Sequence, residues 1–271
     1  MNDDELAKLV NRSGFLFQVA VEEHIRATAD QHGWDVLARE HPWMSTDGAR
    51  GGFIDFVAGR STLRCVVDCK RTQGGEWIFL LPKTSPDTFE LRTLWSYRSR
   101  DKRHGFGWAD LPFEPATPEA AFCIVRGASD EDKPMLERIA GDLVKATESL
   151  AREELGTQRR GEGPYGYIPV IVTNAKLFAC RVNLSDVQLE KGALPPSATF
   201  QEVVAIRFRK ALSSDIKHEP ENYDNLKEGL DLKQRSTIVV TVGHLTHWLG
   251  AITQREAGLS LRRNPWWQLE S

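Results

Sequence analysis

Charged side chains interrupt two short apolar segments in the first quarter of the chain. Asp55 lies in the run GGFIDFV, and Asp68 and Lys70 lie in the run LRCVVDCKR. Both runs are typical of buried strands, where an ionised carboxylate is unfavourable unless another group pairs with it. Asp68 and Lys70 are two residues apart, so they share one face of a strand while Cys69 faces the other side.

The connection between the two runs predicts how these charges meet. Residues 59–61 (GRS) are typical of a tight turn, so the runs form a hairpin that brings Asp55 beside Asp68. Two carboxylates and one ammonium at the end of a sheet predict a site for a hard divalent cation such as Mg²⁺. The alternative is an ordinary ion pair between Asp68 and Lys70 on a solvated sheet face.

The composition narrows the classes of protein. The chain has 271 residues, of which 41% are hydrophobic and 27% charged, as expected for a soluble globular protein of one large or two small domains. The net charge of -3 means that any surface for nucleic acid must be local. No apolar run approaches the roughly 20 residues of a membrane span, so we expect no membrane association. The four cysteines have no CxxC spacing and fit a reducing, cytoplasmic location.

The pattern of elements predicts an α/β architecture. Hydrophobic periodicity and turn residues predict, in chain order, a helix over 13–32, a strand over 34–40 ending near Pro42, the two charged strands, an irregular proline-rich segment over 72–119, a strand over 121–126, a long amphipathic helix over 132–155, a strand over 167–173, a segment over 177–182 that continues or pairs with it, strands over 200–209 and 236–242, and a helix over 244–252.

The order helix, strand, strand with Asp55, strand with Asp68-x-Lys70, long helix, strand resembles the PD-(D/E)XK nuclease superfamily. Ile54 stands where the name-giving proline of that superfamily would be. The resemblance covers about residues 13–180. It implies a restriction-endonuclease-like core (helix, three-strand meander, helix, strand) over 1–185, with an insertion at about 72–119. Residues 186–271 would then form a C-terminal extension of accessory strands and a helix packed on the core.

The resemblance also implies an activity. A member of this family would be a Mg²⁺- or Mn²⁺-dependent deoxyribonuclease, specifically an endonuclease, with a role in restriction or phage defence. Asp55, Asp68 and the main-chain carbonyl of Cys69 would hold the metal. Glu22 on the first helix would orient a metal-bound water or hold a second ion, with Glu23 as the alternate. Lys70 would position the attacking water or stabilise the developing negative charge.

A basic and aromatic run over 95–108 is the candidate surface for nucleic acid. Arg98, Arg100, Lys102 and Arg103 could contact phosphates, and the neighbouring aromatic residues could stack on bases. The alternative is a solvated loop anchored by a few aromatic side chains.

Other readings of the function and of the partners stay open at this point. The chain could be a nucleic-acid- or partner-binding protein on a nuclease-like scaffold without cleavage activity, or the charges could form a structural network. DNA is the expected partner, and RNA is not ruled out by the sequence. Cutting both strands of a duplex favours a homodimer, and the C-terminal third could bind a partner protein. Arg207, Arg209 and Lys210 are expected on the exposed face of a late strand.

Overall fold

A computed structural model describes residues 2–72, 75–98, 104–125, 135–158, 164–212, 230 and 233–254. Within these residues the chain is a mixed α/β protein with two sheets. The helices are α1 (Asp3–Ser13), α2 (Phe15–Ala27), α3 (Ala29–His32), α4 (Met135–Thr157) and α5 (Leu245–Ala251). The strands are β1 (Asp35–Met44), β2 (Gly51–Arg60), β3 (Leu63–Lys70), β4 (Glu76–Pro82), β5 (Thr88–Arg98), β6 (His104–Thr117), β7 (Glu119–Ala120), β8 (Phe122–Val125), β9 (Tyr165–Thr173), β10 (Lys176–Val182), β11 (Thr199–Val203), β12 (Ala205–Leu212), β13 (Gln234–Thr241) and β14 (Thr253–Gln254).

The larger sheet is mixed and has the strand order β1-β2-β3-β9-β13-β12-β7. The first three strands form an antiparallel meander, while β9 runs parallel to both β3 and β13. β5 pairs with the first residues of β9, and β6 then pairs with β5. A parallel pair needs a crossover connection, and α4 lies in the connection between β3 and β9.

The hairpin of β2 and β3 fixes the register that matters for the predicted charges. Arg60 is opposite Leu63, and the pairing continues to Phe56 opposite Val67. The two-residue turn is therefore Ser61–Thr62, slightly later than predicted, with a positive φ of 53° at Ser61. Extending this register by one step places Asp55 opposite Asp68.

The two faces of the larger sheet carry separate apolar clusters. On one face, Val57 and Val66 pack with the buried stripe of α4, which includes Leu143 and Ala146. The other face packs against α2 and α5, in a cluster that includes Val21, Ile25, Trp34, Phe56, Val67, Leu245 and Trp248. The sheet is thus buried on both sides, as the continuous apolar runs of β3 and β9 require.

The smaller sheet has the order β11-β10-β4-β8 and corrects two predictions. The segment 72–119 is not irregular, because it contains β4, β5, β6 and the start of β7. Two of its prolines, Pro112 and Pro115, are tolerated within β6, where Pro112 lies opposite Glu90. The segment 177–182 lies in β10, which pairs with β4 and β11 and not with β9.

Several boundaries also differ from the prediction. The helix expected over 13–32 is divided at Thr28 into α2 and α3, and it follows Gly14, whose φ is 81°. β1 does not end near Pro42 but continues to Met44. α1 precedes all of these elements and was not predicted. In the described part of the chain, no helix has the length and apolar character needed to cross a membrane.

Candidate functional site

Asp55, Asp68 and Lys70 lie together where β2 and β3 meet. The Asp55 carboxylate (Oδ2) accepts a hydrogen bond from the main-chain N–H of Cys69 at 2.6 Å. The Lys70 ammonium lies 2.6 Å from Asp68 Oδ1, with side-chain exposures of 34% and 20% respectively. The shared strand face predicted for Asp68 and Lys70 accounts for this ion pair. The structure therefore brings together the three charges that the sequence selected.

The two carboxyl groups are held in an environment that disfavours two negative charges. Burial, and after it the charge of Asp68, raises the pKa of Asp55 to about 7, although the Cys69 N–H and Lys70 act to lower it. Burial also raises the pKa of Asp68, against the opposing effects of Lys70 and of a hydrogen bond with Asp55. One ammonium thus compensates the pair only partly, and an additional cation would favour the doubly ionised form.

An open cavity of about 540 Å³ gives access to these groups. Its walls come from the hairpin of β1 and β2, from β3 and from the first half of α4. The aromatic and charged side chains that line it are Trp43, Arg50, Phe53, Asp55, Asp68, Lys70 and Asp142. Arg50 lies 2.8 Å from Asp142, and both side chains are more than 40% exposed. The site therefore combines half-buried carboxylates with room for a ligand of nucleotide size.

Glu40 is a further carboxylate near the site, and sequence reasoning missed it. Arg39 is opposite Phe56 and His41 is opposite Ile54. Glu40 of β1 is therefore directly opposite Asp55 of β2. Its φ of 44° is uncommon for a residue with a side chain. The signal that could have found Glu40 is the register of the β1–β2 hairpin.

Two interactions of Glu40 tie it to this region. Gln18 on α2 donates a hydrogen bond from its amide to the Glu40 carboxylate. The charge of Glu40 is also one of the smaller influences that raise the pKa of Asp55, after burial and Asp68.

Glu22 is buried, but its carboxylate is already engaged. Oε1 lies 2.6 Å from a guanidinium nitrogen of Arg26 and also accepts a hydrogen bond from Arg39. Glu22 belongs to α2, whose residues Val21 and Ile25 pack in the same apolar cluster as Cys69. Its charge raises the pKa of the Cys69 thiol, after burial, Asp55 and Asp68. Glu23, the alternate, is exposed. A metal-binding role for either glutamate stays a prediction.

The basic run is only partly described. Arg100, Lys102 and Arg103 lie outside the described residues. Arg98 donates to the main-chain carbonyl of Gly156 at 2.6 Å, at the last turn of α4, where a cation is favourable.

Arg98 is also far from the carboxylates. The neighbouring Ser96 of β5 is opposite Tyr165 of β9, whereas Asp68 is opposite Ile171. This difference of six strand residues corresponds to about 20 Å. The structure does not bring Arg98 to the site.

The donor set fits a hard divalent cation that keeps part of its hydration shell. Among the described residues, no three His, Cys, Asp or Glu side chains form a group that could hold a metal ion. Asp55 and Asp68 supply two carboxylates, and the main-chain carbonyl of Cys69 is the third candidate ligand. Mg²⁺ commonly binds one or two carboxylates and completes its octahedron with waters and substrate phosphates, so two carboxylates suffice for it.

Comparisons with known proteins leave the class open. No protein-family model matches this chain, and no curated protein or solved structure matches it either.

Proposed function

We propose that this protein is a Mg²⁺- or Mn²⁺-dependent nuclease that hydrolyses phosphodiester bonds of DNA. The observation that carries the proposal is the half-buried pair Asp55 and Asp68, only partly compensated by Lys70 and open to a cavity. Buried charges in a purely structural network are normally balanced. A pair that retains excess negative charge beside an open cavity instead favours binding of a cation.

The proposed roles follow from the contacts. Asp55 and Asp68 hold the cation together with the Cys69 carbonyl. A bound divalent cation supplies a Lewis acid and lowers the pKa of a coordinated water. With the cation present, Asp68 no longer needs Lys70 as its only counter-charge. The ammonium is then available to orient the attacking water or to stabilise charge on the phosphate.

The side chains around the carboxylates favour nucleic acid over a small phosphate ester. Phe53 is two residues before Asp55, is 65% exposed and lines the same cavity. Strand geometry separates such residues by about 6.6 Å, so a base next to the reacting phosphate could stack on Phe53. Trp43 lines the same wall, and Arg50 is an exposed cation on the turn between β1 and β2.

The arrangement of elements supports a restriction-endonuclease-like core. α2, the meander of β1, β2 and β3, the long helix α4 and then β9 parallel to β3 follow the order that the resemblance implies. The strands β4 to β8 and the C-terminal strands β11 to β13 are additions to this core. The same resemblance favours a cytoplasmic endonuclease that acts in restriction or phage defence.

A cleavage assay tests the proposal. Plasmid and single-stranded DNA are incubated with wild-type protein in Mg²⁺, in Mn²⁺ or in EDTA, alongside Lys70→Ala and the control Lys176→Ala, which alters an exposed lysine on β10. We expect metal-dependent cleavage by wild type and by Lys176→Ala. Lys70→Ala should be slower by about 100-fold or more, because one charge-stabilising donor contributes about that much.

Three outcomes would count against the proposal, the last of them with DNA binding measured alongside cleavage. Cleavage in EDTA, or equal rates for wild type and Lys70→Ala, would contradict it. Binding of DNA by folded wild-type protein without cleavage in either metal would favour the binding-protein alternative.

A further inference from the structure

The first helix of the protein has an apolar stripe that the described residues leave exposed. None of the residues of α1 is buried. Leu6, Leu9 and Val10 recur at helical spacing on one side of α1 and are 44%, 53% and 53% exposed. An isolated helix of 11 residues is only marginally stable in water, so packing against another surface would be needed to hold α1.

The apolar surface continues into the next helix. Phe15, Leu16 and Val19 of α2 are 68%, 57% and 58% exposed. Six large apolar side chains are thus exposed within 14 residues, on two helices that are joined at Gly14. Exposed apolar patches of this kind mark interaction surfaces in soluble proteins.

The charges of α1 indicate what covers this surface. The first turn carries Asp3, Asp4 and Glu5, and the cations Lys8 and Arg12 follow further along the helix. Glu5 and Arg12 are seven residues apart, so both border the same edge of the apolar stripe. If two copies of α1 lie antiparallel, Glu5 of each copy comes opposite Arg12 of the other. A two-fold dimer requires this kind of self-complementary surface.

We propose that the protein forms a two-fold homodimer through an antiparallel pair of α1 helices, with the exposed residues of α2 flanking the contact. The apolar stripe supplies the buried centre, and the acidic and basic ends of α1 fix the antiparallel direction. This inference does not depend on the nuclease activity.

The position of α1 links this contact to the candidate site. Arg71 directly follows Lys70, and its guanidinium donates to the main-chain carbonyl of Asn11 on α1. The dimer contact is thus attached to the end of the strand that carries Asp68 and Lys70. A dimer of this kind joins two candidate sites through their β3 strands.

Mass measurement of the full chain in solution tests the proposal. Light scattering after size exclusion is performed from about 1 to about 100 µM, a range in which modest interfaces associate. Wild-type protein should move toward twice the chain mass of 30.5 kDa. Leu9→Glu should remain monomeric, and Leu189→Glu, at a position that is 91% exposed outside this surface, should behave as wild type. Far-UV circular dichroism checks that each variant is folded.

Cysteine cross-linking tests the direction of the helices. In an antiparallel pair centred between residues 8 and 9, Leu9→Cys should form a disulfide between copies, whereas Leu6→Cys lies beyond disulfide reach of its counterpart. A parallel pair would cross-link both variants. Wild-type protein, with its own four cysteines, is the control.

Three results would overturn the proposal. Monomeric wild-type protein over the whole range would do so, including a monomer that binds lipid vesicles through α1. Retention of the dimer by Leu9→Glu would exclude this surface. Equal cross-linking of Leu6→Cys and Leu9→Cys would exclude the antiparallel arrangement.

Discussion

Charged side chains are removed from solvent in two regions beside α4, one around Glu148 and one around Asp55. The two regions are organised differently. Near the middle of α4, Glu148 and Arg235 are 0% and 2% exposed at the side chain and lie 4.0 Å apart. Trp108 donates its indole N–H to Glu148 at 2.7 Å, and the Arg235 guanidinium lies over its ring. In the second region, half-buried Asp55 and Asp68 face a cavity, and the one lysine beside them, Lys70, forms its ion pair with Asp68.

The difference distinguishes a structural role for buried charge from a functional one. In the Glu148 region the opposite charges of Glu148 and Arg235 lie close together, and neither side chain is more than 2% exposed, so each charge has a counter-charge within the fold. The Asp55 region has two carboxylates for one ammonium and an opening on one side. Burial alone is therefore a poor guide to function, and an unbalanced charge beside a cavity is a better one.

The largest expected effect is on the free energy of unfolding, in the Glu148 region. Glu148→Ala removes the carboxylate that lies 4.0 Å from the buried Arg235, and the free energy of unfolding should fall by about 3–5 kcal/mol. Glu153→Ala, on the same helix but 64% exposed, should lower it by at most about 1 kcal/mol. Urea unfolding of both variants measures this difference. Equal losses would mean that the Glu148 pair has no special structural role.

The next largest effect concerns DNA binding in the Asp55 region. Phe53→Ala should weaken binding of single-stranded DNA by about 1–3 kcal/mol, since stacking on one aromatic ring contributes that much per base. The control is Phe200→Ala, which removes a ring that is 54% exposed on β11. Fluorescence anisotropy with Ca²⁺ in place of Mg²⁺ measures binding without turnover. Equal affinities of the two variants would contradict a stacking role for Phe53.

Removing a charge from the Asp55 region should raise the free energy of unfolding, whereas removing one from the Glu148 region should lower it. Asp55→Asn keeps an oxygen to accept the Cys69 N–H but abolishes the repulsion with Asp68. The free energy of unfolding in EDTA at neutral pH should therefore rise, by about 1–2 kcal/mol. A fall of the size expected for Glu148→Ala would show that Asp55 is a structural residue.

The smallest expected effect is that of Glu40. Glu40→Gln removes one of the more distant charges around Asp55 while keeping a group that can bond to Gln18. Because a weaker negative potential attracts the cation less, this variant should slow metal-dependent cleavage by up to about tenfold and not abolish it. The control is Glu202→Gln, an exposed glutamate on β11. A cleavage rate equal to that of this control would show that Glu40 does not contribute to the site.

The parts of this comparison that the sequence predicted are local. Alternation within β3 places Asp68 and Lys70 on one face, and the tight turn after β2 brings Asp55 beside them. The helical repeat of α4 and the apolar run of β9 are similarly visible in the sequence, because each is set by neighbours a few residues away.

The parts that were missed depend on contacts distant in sequence. Arg207 was expected to be exposed, yet it is 1% exposed. Its guanidinium donates to main-chain carbonyls such as that of Thr88, more than 100 residues away. The strands within 72–119 were hidden by their prolines, and the partners of β10 lie in a separate sheet. Glu40 became a candidate only when the register of β1 and β2 was known.

Binding of a divalent cation to the carboxylate pair is the most direct test of the account. Thermal unfolding of wild type, Asp55→Asn and Glu153→Ala is followed with increasing Mn²⁺. At 100 times the dissociation constant, a ligand of the native state adds about 2.7 kcal/mol, so wild type and Glu153→Ala should both melt at higher temperature. Asp55→Asn should show no increase. An equal increase in all three proteins, or none in wild type, would contradict a cation site at Asp55 and Asp68.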